Sequence, residues 1–160
     1  MPALFSSRRT LLAIAALCIA GVAAALAGQY GFDMRPCPWC ILQRLIFVVI
    51  ALLCLAGAAA RTPAAHRAVA GTAVLLCVLG AAAALYQHFV AAKSSSCNLT
   101  LADKVITALR LDTALPSMFE VTGSCADAAV SVMGVPFEFW SLALFALLAA
   151  LAFPLASRRS

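Results

Sequence analysis

Charge is the scarcest feature of this chain. Only 11% of its 160 residues are charged, against 65% hydrophobic, whereas a soluble domain carries about a quarter charged and about half apolar residues. Too little polar surface remains to cover a water-exposed globule, which excludes an ordinary soluble enzyme or binding module. Strand-like alternation of apolar and polar residues is also missing, so helices are the only sensible spanning element. The long apolar runs contain no carboxylate. All six acids (Asp33, Asp103, Asp112, Glu120, Asp127 and Glu138) fall outside them. A small multidrug transporter has four spans too, but it would be expected to hold a carboxylate within them.

What the chain does have is apolar length. Four runs, at about 10–28, 41–60, 68–90 and 139–156, approach the roughly 20 residues that a membrane helix needs, and alanine and leucine dominate them. The reading is an all-α membrane protein, a four-transmembrane-helix bundle forming one integral membrane domain over 1–160. The sparse charges then orient it. Arg8 and Arg9 precede the first run, Arg61, His66 and Arg67 fill the short second loop, and Arg158 and Arg159 close the chain. No acid accompanies them, and positive charge marks the cytoplasmic side. Both termini are therefore expected in the cytoplasm, with loops 29–40 and 91–138 outside. The net charge of +5 is then a topology signal, and no nucleic-acid partner is needed to explain it. Ser7-Arg8-Arg9-Thr10-Leu11-Leu12 resembles a twin-arginine export signal, with Ala25-Leu26-Ala27 as a cleavage site. The even number of runs that fits the charge pattern favours a retained first helix instead.

Seven cysteines divide between two settings. Cys18, Cys54 and Cys77 lie within apolar runs and read as small buried hydrophobes. Cys37, Cys40, Cys97 and Cys125 all lie in the loops expected outside, where an oxidising compartment turns paired thiols into disulfides. The second of these loops is too long for a mere connector, which suggests function. Leu101, Val105 and Leu109 share one helical face within it, with Asp103, Lys104 and Arg110 elsewhere around the turn. This is a short amphipathic helix, lying on the membrane surface or covering the bundle. Ser94-Ser95-Ser96 and Thr122-Gly123-Ser124 place small residues beside Cys97 and Cys125.

The stretch Arg35-Pro36-Cys37-Pro38-Trp39-Cys40-Ile41-Leu42-Gln43-Arg44 carries the chemistry. Its prolines hold the chain out of helix until Trp39 or Cys40. That places Cys40 near a helix N-terminus, whose partial positive charge and open N–H groups favour the reactive thiolate. Arg44, four residues on, shares the face of Cys40 about 6 Å along the axis. It adds positive charge and offers donors to an electron-poor carbonyl compound; the plainer alternative is a side chain snorkelling to headgroups. His88 closes the third run and could bind a carbonyl oxygen, relay a proton, or simply sit at the interface. A thioredoxin-like motif would need a βαβ context, which is missing. Structural zinc normally takes two short-spaced cysteine pairs, and Cys97 and Cys125 are far apart, so no metal is expected. Purely structural disulfides in a four-span scaffold remain an alternative. A bond across two residues, however, closes too small a loop to stabilise much and suits exchange better.

These residues carry a resemblance. Pro36-Cys37-x-x-Cys40-Ile41-x-x-Arg44, Tyr86-Gln87-His88, and Gly123-x-Cys125-Ala126 followed by Gly134 and Trp140, with Cys97 as the fourth cysteine, are similar to the DsbB family, disulfide bond formation protein B of the bacterial inner membrane. The likeness spans nearly the whole chain. One departure is Gln43, where some members carry an acid, which weakens any case for a charged partner of Arg44. A vitamin K epoxide reductase-like protein shares the four-helix plan but arranges its loops differently.

The resemblance implies a thiol:quinone oxidoreductase. Its partner would be a periplasmic, DsbA-like thioredoxin-fold protein that donates disulfides to exported proteins. Its acceptor would be ubiquinone or menaquinone of the membrane pool. The implied catalytic residues are Cys37, Cys40, Cys97 and Cys125, with Cys40, Arg44 and His88 toward the quinone. Cys97–Cys125 would be the disulfide attacked by the partner, at Cys97. Cys125 would then attack Cys37–Cys40 at Cys37, leaving Cys40 as the thiolate that faces the quinone.

Overall fold

The structure, a computed structural model, describes residues 2–93, 100–124, 126 and 130–157, with side chains from Ser6 onward. Cys97 and Cys125 lie outside the described residues.

Four long helices make the body: α1 (Pro2–Gly31), α2 (Pro38–Ala59), α3 (Pro63–Phe89) and, near the end, α7 (Phe137–Ala156). All four are long and apolar enough to cross a membrane, as the composition leads one to expect. Each start has a local cause. Proline stands at the first position of α2 and of α3, where its missing N–H costs no hydrogen bond and its fixed φ suits the helix. Thr62 caps α3 through the N–H of Ala65, and Cys37 caps α2 through its sulfur. Here the sequence expectation needs correcting: α2 begins at Pro38, ahead of Trp39, because proline is tolerated in a first turn.

Helix α1 packs along α2, α2 along α3, and α3 most extensively along α7, which closes the ring against α1. The core takes Leu11, Ile14 and Cys18 from α1, Phe47, Ile50 and Cys54 from α2, Ala70, Ala73 and Cys77 from α3, and Phe145, Leu148 and Ala152 from α7. Lipid is as apolar as leucine, so association rests on close packing and small residues. Phe47 and Phe145 stack with ring centroids 4.1 Å apart. Gly80 admits that stack, since a Cβ there would overlap the Phe145 ring. Leu52, Leu75, Val78, Leu79 and Phe153 point outward, as suits surfaces facing acyl chains.

Between α3 and α7 come a 3₁₀ turn (Ala91–Lys93), α4 (Leu101–Ala108), the one-turn helices α5 (Leu111–Ala114) and α6 (Pro116–Phe119), and a two-residue hairpin, β1 (Ser131–Val132) with β2 (Val135–Pro136). A capping box joins Thr100 and Asp103 at the start of α4, satisfying two N–H groups. The helix packs on α2 through Ala102 and Ile106, which are buried, and leaves Leu101 and Leu109 exposed. Of the face singled out in the sequence, Leu101 and Leu109 are exposed and Val105 is half-buried.

Candidate active site at the thiol end of the bundle

Cys37 and Cys40 mark one end of the ring. Cys37 is fully buried among Trp39, Ala83, Ala91 and Ala102. As N-cap of α2 its Sγ accepts the N–H of Cys40 at 3.3 Å, and the two sulfurs stand 2.9 Å apart. Both thiols thus sit at the positive end of the α2 dipole, which favours thiolate. Trp39 covers them and meets the ring of Tyr86 at 4.7 Å between centroids.

One turn deeper, polar side chains are buried where the bundle is otherwise apolar. Gln87 donates its Nε2–H to Cys40 Sγ at 3.2 Å, and Gln43 Nε2–H donates to Gln87 Oε1 at 2.7 Å. The order Gln43→Gln87→Cys40 delivers an oriented donor to the sulfur. Arg44, only 4% exposed, donates through Nη1 to Gln29 Oε1 at 2.9 Å and to the Met118 carbonyl at 2.6 Å. Both of these acceptors are neutral. Its Nε, though buried, has no hydrogen-bond partner among the described residues.

A cavity of about 290 Å³ opens beside these groups. Cys40, Gln43, Arg44, Gln87, Gln29 and Glu138 supply its polar lining, and Val22, Ala25, Phe47 and Leu144 part of its apolar wall. That combination, apolar walls with a few convergent polar groups, is the usual form of a small-molecule site.

The structure brings together three of the residues singled out in the sequence, Cys37, Cys40 and Arg44. His88 stands differently: it is not among the cavity's lining residues, and its Nδ1 meets Glu138 Oε1 at 2.6 Å. Glu138 corrects the sequence reading. Placed there in a loop and outside the spans, it sits in the first turn of α7 and is only 3% exposed. The apolar run was counted from Phe139, but helix begins at Phe137, so the carboxylate is carried into the bundle's rim. Gln29, Gln87 and Glu138 were not proposed as site residues from sequence. The signal was available: each is a polar side chain at the end of an apolar run, where burial without function is costly.

The long loop touches this end as well. The N–H groups of Thr122 and Gly123 both donate to the Pro36 carbonyl at 3.2 Å. Gly123 lies so close to Arg35 that a Cβ on it would come within 2.8 Å of Arg35 Cβ. The chain two residues before Cys125 is thus bonded to the chain one residue before Cys37.

A family model described as disulfide bond formation protein DsbB matches residues 7–155. Disulfide bond formation protein B 1 of Pseudomonas syringae pv. syringae (strain B728a) is 34% identical over 147 residues, 90% of this chain and 86% of its own. Disulfide bond formation protein B of Burkholderia pseudomallei (strain 1106a) is 32% identical, covering 89% and 85%. The Disulfide bond formation protein B 1 of Pseudomonas fluorescens (strain Pf0-1) is 32% identical, covering 94% and 90%. No solved structure matches the chain.

Proposed function

The chain belongs to the DsbB family of disulfide bond formation proteins, multi-pass membrane proteins of disulfide chemistry, and from that premise we propose that it is a thiol:quinone oxidoreductase. It would reoxidise a periplasmic, DsbA-like thioredoxin-fold dithiol and deliver the electron pair to a membrane quinone. The observation that carries this reading is the cavity: Cys40, the thiol at the head of α2, lines it together with Arg44 and Gln87.

A quinone head group suits that cavity. The buried, unpartnered Nε of Arg44 and the amides of Gln29, Gln43 and Gln87 offer donors to ring oxygens, and the wall of Val22, Ala25, Phe47 and Leu144 suits an apolar ring and tail. When bound, it would supply acceptance of two electrons and two protons.

The chain's own thiols would work in sequence. A partner thiolate attacks Cys97 of a Cys97–Cys125 disulfide and forms a mixed disulfide, releasing Cys125. The bond of Thr122 and Gly123 to Pro36 supports the next exchange, because it anchors the chain leading into Cys125 beside the chain leading into Cys37. Cys125 bonds to Cys37 as the Cys37–Cys40 bond breaks, and Cys40 departs as thiolate. The helix dipole, the Gln87 N–H and the Arg44 cation all favour that anion. The partner's second thiol then displaces Cys97, which retakes Cys125 and frees Cys37. Cys37 and Cys40 together would give up two electrons as their bond reforms.

The charge pattern supports placing both termini in the cytoplasm of a bacterial cell and the thiol end on the periplasmic side of its inner membrane. A site at that interface is within reach of both a water-soluble dithiol and a lipid-soluble acceptor. Purified protein given ubiquinone and a reduced thioredoxin-fold dithiol is expected to consume the quinone, followed by its ultraviolet absorbance. Cys40→Ser is expected to stop consumption, and undiminished turnover in that variant would overturn the mechanism.

A further inference from the structure

Electron pairs reach the cavity through Cys40, but reduction of a quinone also needs protons, and sulfur at a helix N-terminus is tuned to lose them. Glu138 is placed to supply one. It lines the cavity, and its Oε2 is buried with no hydrogen-bond partner among the described residues. A buried carboxylate oxygen without a donor is destabilising, a cost removed when a bound molecule completes the pair. Its other oxygen, Oε1, lies 2.6 Å from His88 Nδ1, within hydrogen-bond reach. His88 stands in the last turn of α3, with 31% of its side chain exposed. Its ring is wedged edge-on between Phe89 and Phe139, at 4.9 and 4.7 Å between centroids, which fixes the direction of Nδ1. The pair therefore forms a continuous path from the protein surface, through an oriented imidazole, to a carboxylate on the cavity wall.

We propose that Glu138 is a catalytic acid–base residue of the quinone site, with Oε2 touching a ring oxygen and passing it a proton brought from water by His88. The proposal rests on the reading of the cavity as a quinone site. The balance closes without a further reactant. Re-forming the Cys37–Cys40 bond from the Cys37 thiol and the Cys40 thiolate releases two electrons and one proton, the dithiol's other proton having gone to water when Cys40 left as the anion, and conversion of quinone to quinol takes up two of each. The Cys37 thiol proton passes to one ring oxygen. Glu138 gives the other ring oxygen the equivalent of the proton already lost to water. His88 reprotonates Glu138 and is itself refilled from water. Arg44 and Arg35 also line the cavity.

The test uses the full chain in lipid nanodiscs with ubiquinone-1 and a reduced thioredoxin-fold dithiol. Quinone binding is read separately from turnover by quenching of tryptophan fluorescence, since Trp140 lines the cavity. Glu138→Gln keeps the shape and a hydrogen-bond donor but cannot pass a proton. Its kcat is expected to fall about 100-fold, in the range for loss of a general acid, with Kd for ubiquinone-1 within about threefold of wild type. Glu138→Asp should restore part of kcat. His88→Gln, which leaves the cavity lining intact, should lower kcat and change its solvent deuterium isotope effect. The double substitution should be no slower than Glu138→Gln, because one path is cut twice. Unaltered kcat in Glu138→Gln, or a fall matched by an equal loss of binding, would overturn the proposal. If Glu138→Gln does not fold, an unaltered kcat and isotope effect in His88→Gln would do the same. A wild-type protein that oxidises the dithiol once but never reduces ubiquinone-1 would instead sink the quinone reading itself.

Discussion

Two groups of cysteines in one small bundle show how little the residue type alone decides. Cys18, Cys54 and Cys77 are as deeply buried as Cys37, at 0–1% exposure. Around them, however, are Leu, Ile, Ala and Phe from four helices, with no helix terminus near to offer an open N–H. Cys37 and Cys40 sit at a helix start, one sulfur taking a backbone N–H and the other a glutamine N–H. Cys37 shares the burial of the core cysteines and Cys40 is half-buried; oriented donors and positive potential belong only to the second group. A thiol becomes an exchange centre where its anion is solvated by the protein, and stays an inert filler where it is not.

The comparison breaks most visibly if the positive potential at the thiol end is removed. Arg44→Ala deletes a buried cation, abandons the Gln29 and Met118 acceptors, and removes the Nε donor from the cavity. Hydrogen bonds to a charged group contribute about 1.5–3 kcal/mol, so the apparent KM for ubiquinone is expected to rise roughly 10- to 100-fold. Steady-state titration with ubiquinone-1 measures it. Unchanged KM with a slowed dithiol step would move Arg44 from quinone binding to thiolate stabilisation.

A smaller effect is expected from the neutral donor. Gln87→Leu withdraws the N–H from Cys40 Sγ and strands the amide of Gln43. One neutral hydrogen bond contributes about 0.5–1.5 kcal/mol, so alkylation of reduced Cys40 by iodoacetamide should slow by about 3- to 10-fold at fixed pH. Mass spectrometry of the labelled peptide reads it directly. An equal slowing at Cys37 would show that the glutamine shapes the whole helix start and has no specific claim on one sulfur.

This difference between cysteines was legible in the sequence only in part. Membrane segments announce themselves by length and apolar content, because a bilayer demands both. The Cys-x-x-Cys, its prolines and Arg44 announce a helix start, because proline and a following cation act locally. Gln43 was noticed, but its bond to Gln87 joins two helices, α2 and α3, and nothing in local spacing states that contact. Glu138 was misjudged for a related reason. Whether a charge at the rim of an apolar run belongs to loop or helix depends on a neighbour, here His88 on α3, that sequence order places 50 residues away. Sequence left open which face of α4 meets the bundle; Ala102 and Ile106 are its buried residues, and Leu101 is exposed.

The weakest effect is expected where the contrast is sharpest. Replacing Cys18, Cys54 and Cys77 together by alanine removes three sulfurs that no hydrogen bond orients toward exchange. Each change leaves a small void in a close-packed interior, destabilising the bundle by about 1 kcal/mol per site, and a thermal melt in detergent should register the sum. Turnover of dithiol and quinone, by contrast, should stay within about twofold, because nothing connects these sulfurs to the cavity except apolar packing. Alanine preserves that packing in kind, and small side chains already dominate the helix contacts. If the triple variant melts lower but turns over normally, the core thiols are filling and the rim thiols are chemistry. If turnover falls tenfold while the melt barely moves, the interior sulfurs exchange electrons with the site, and the division between the two groups is wrong.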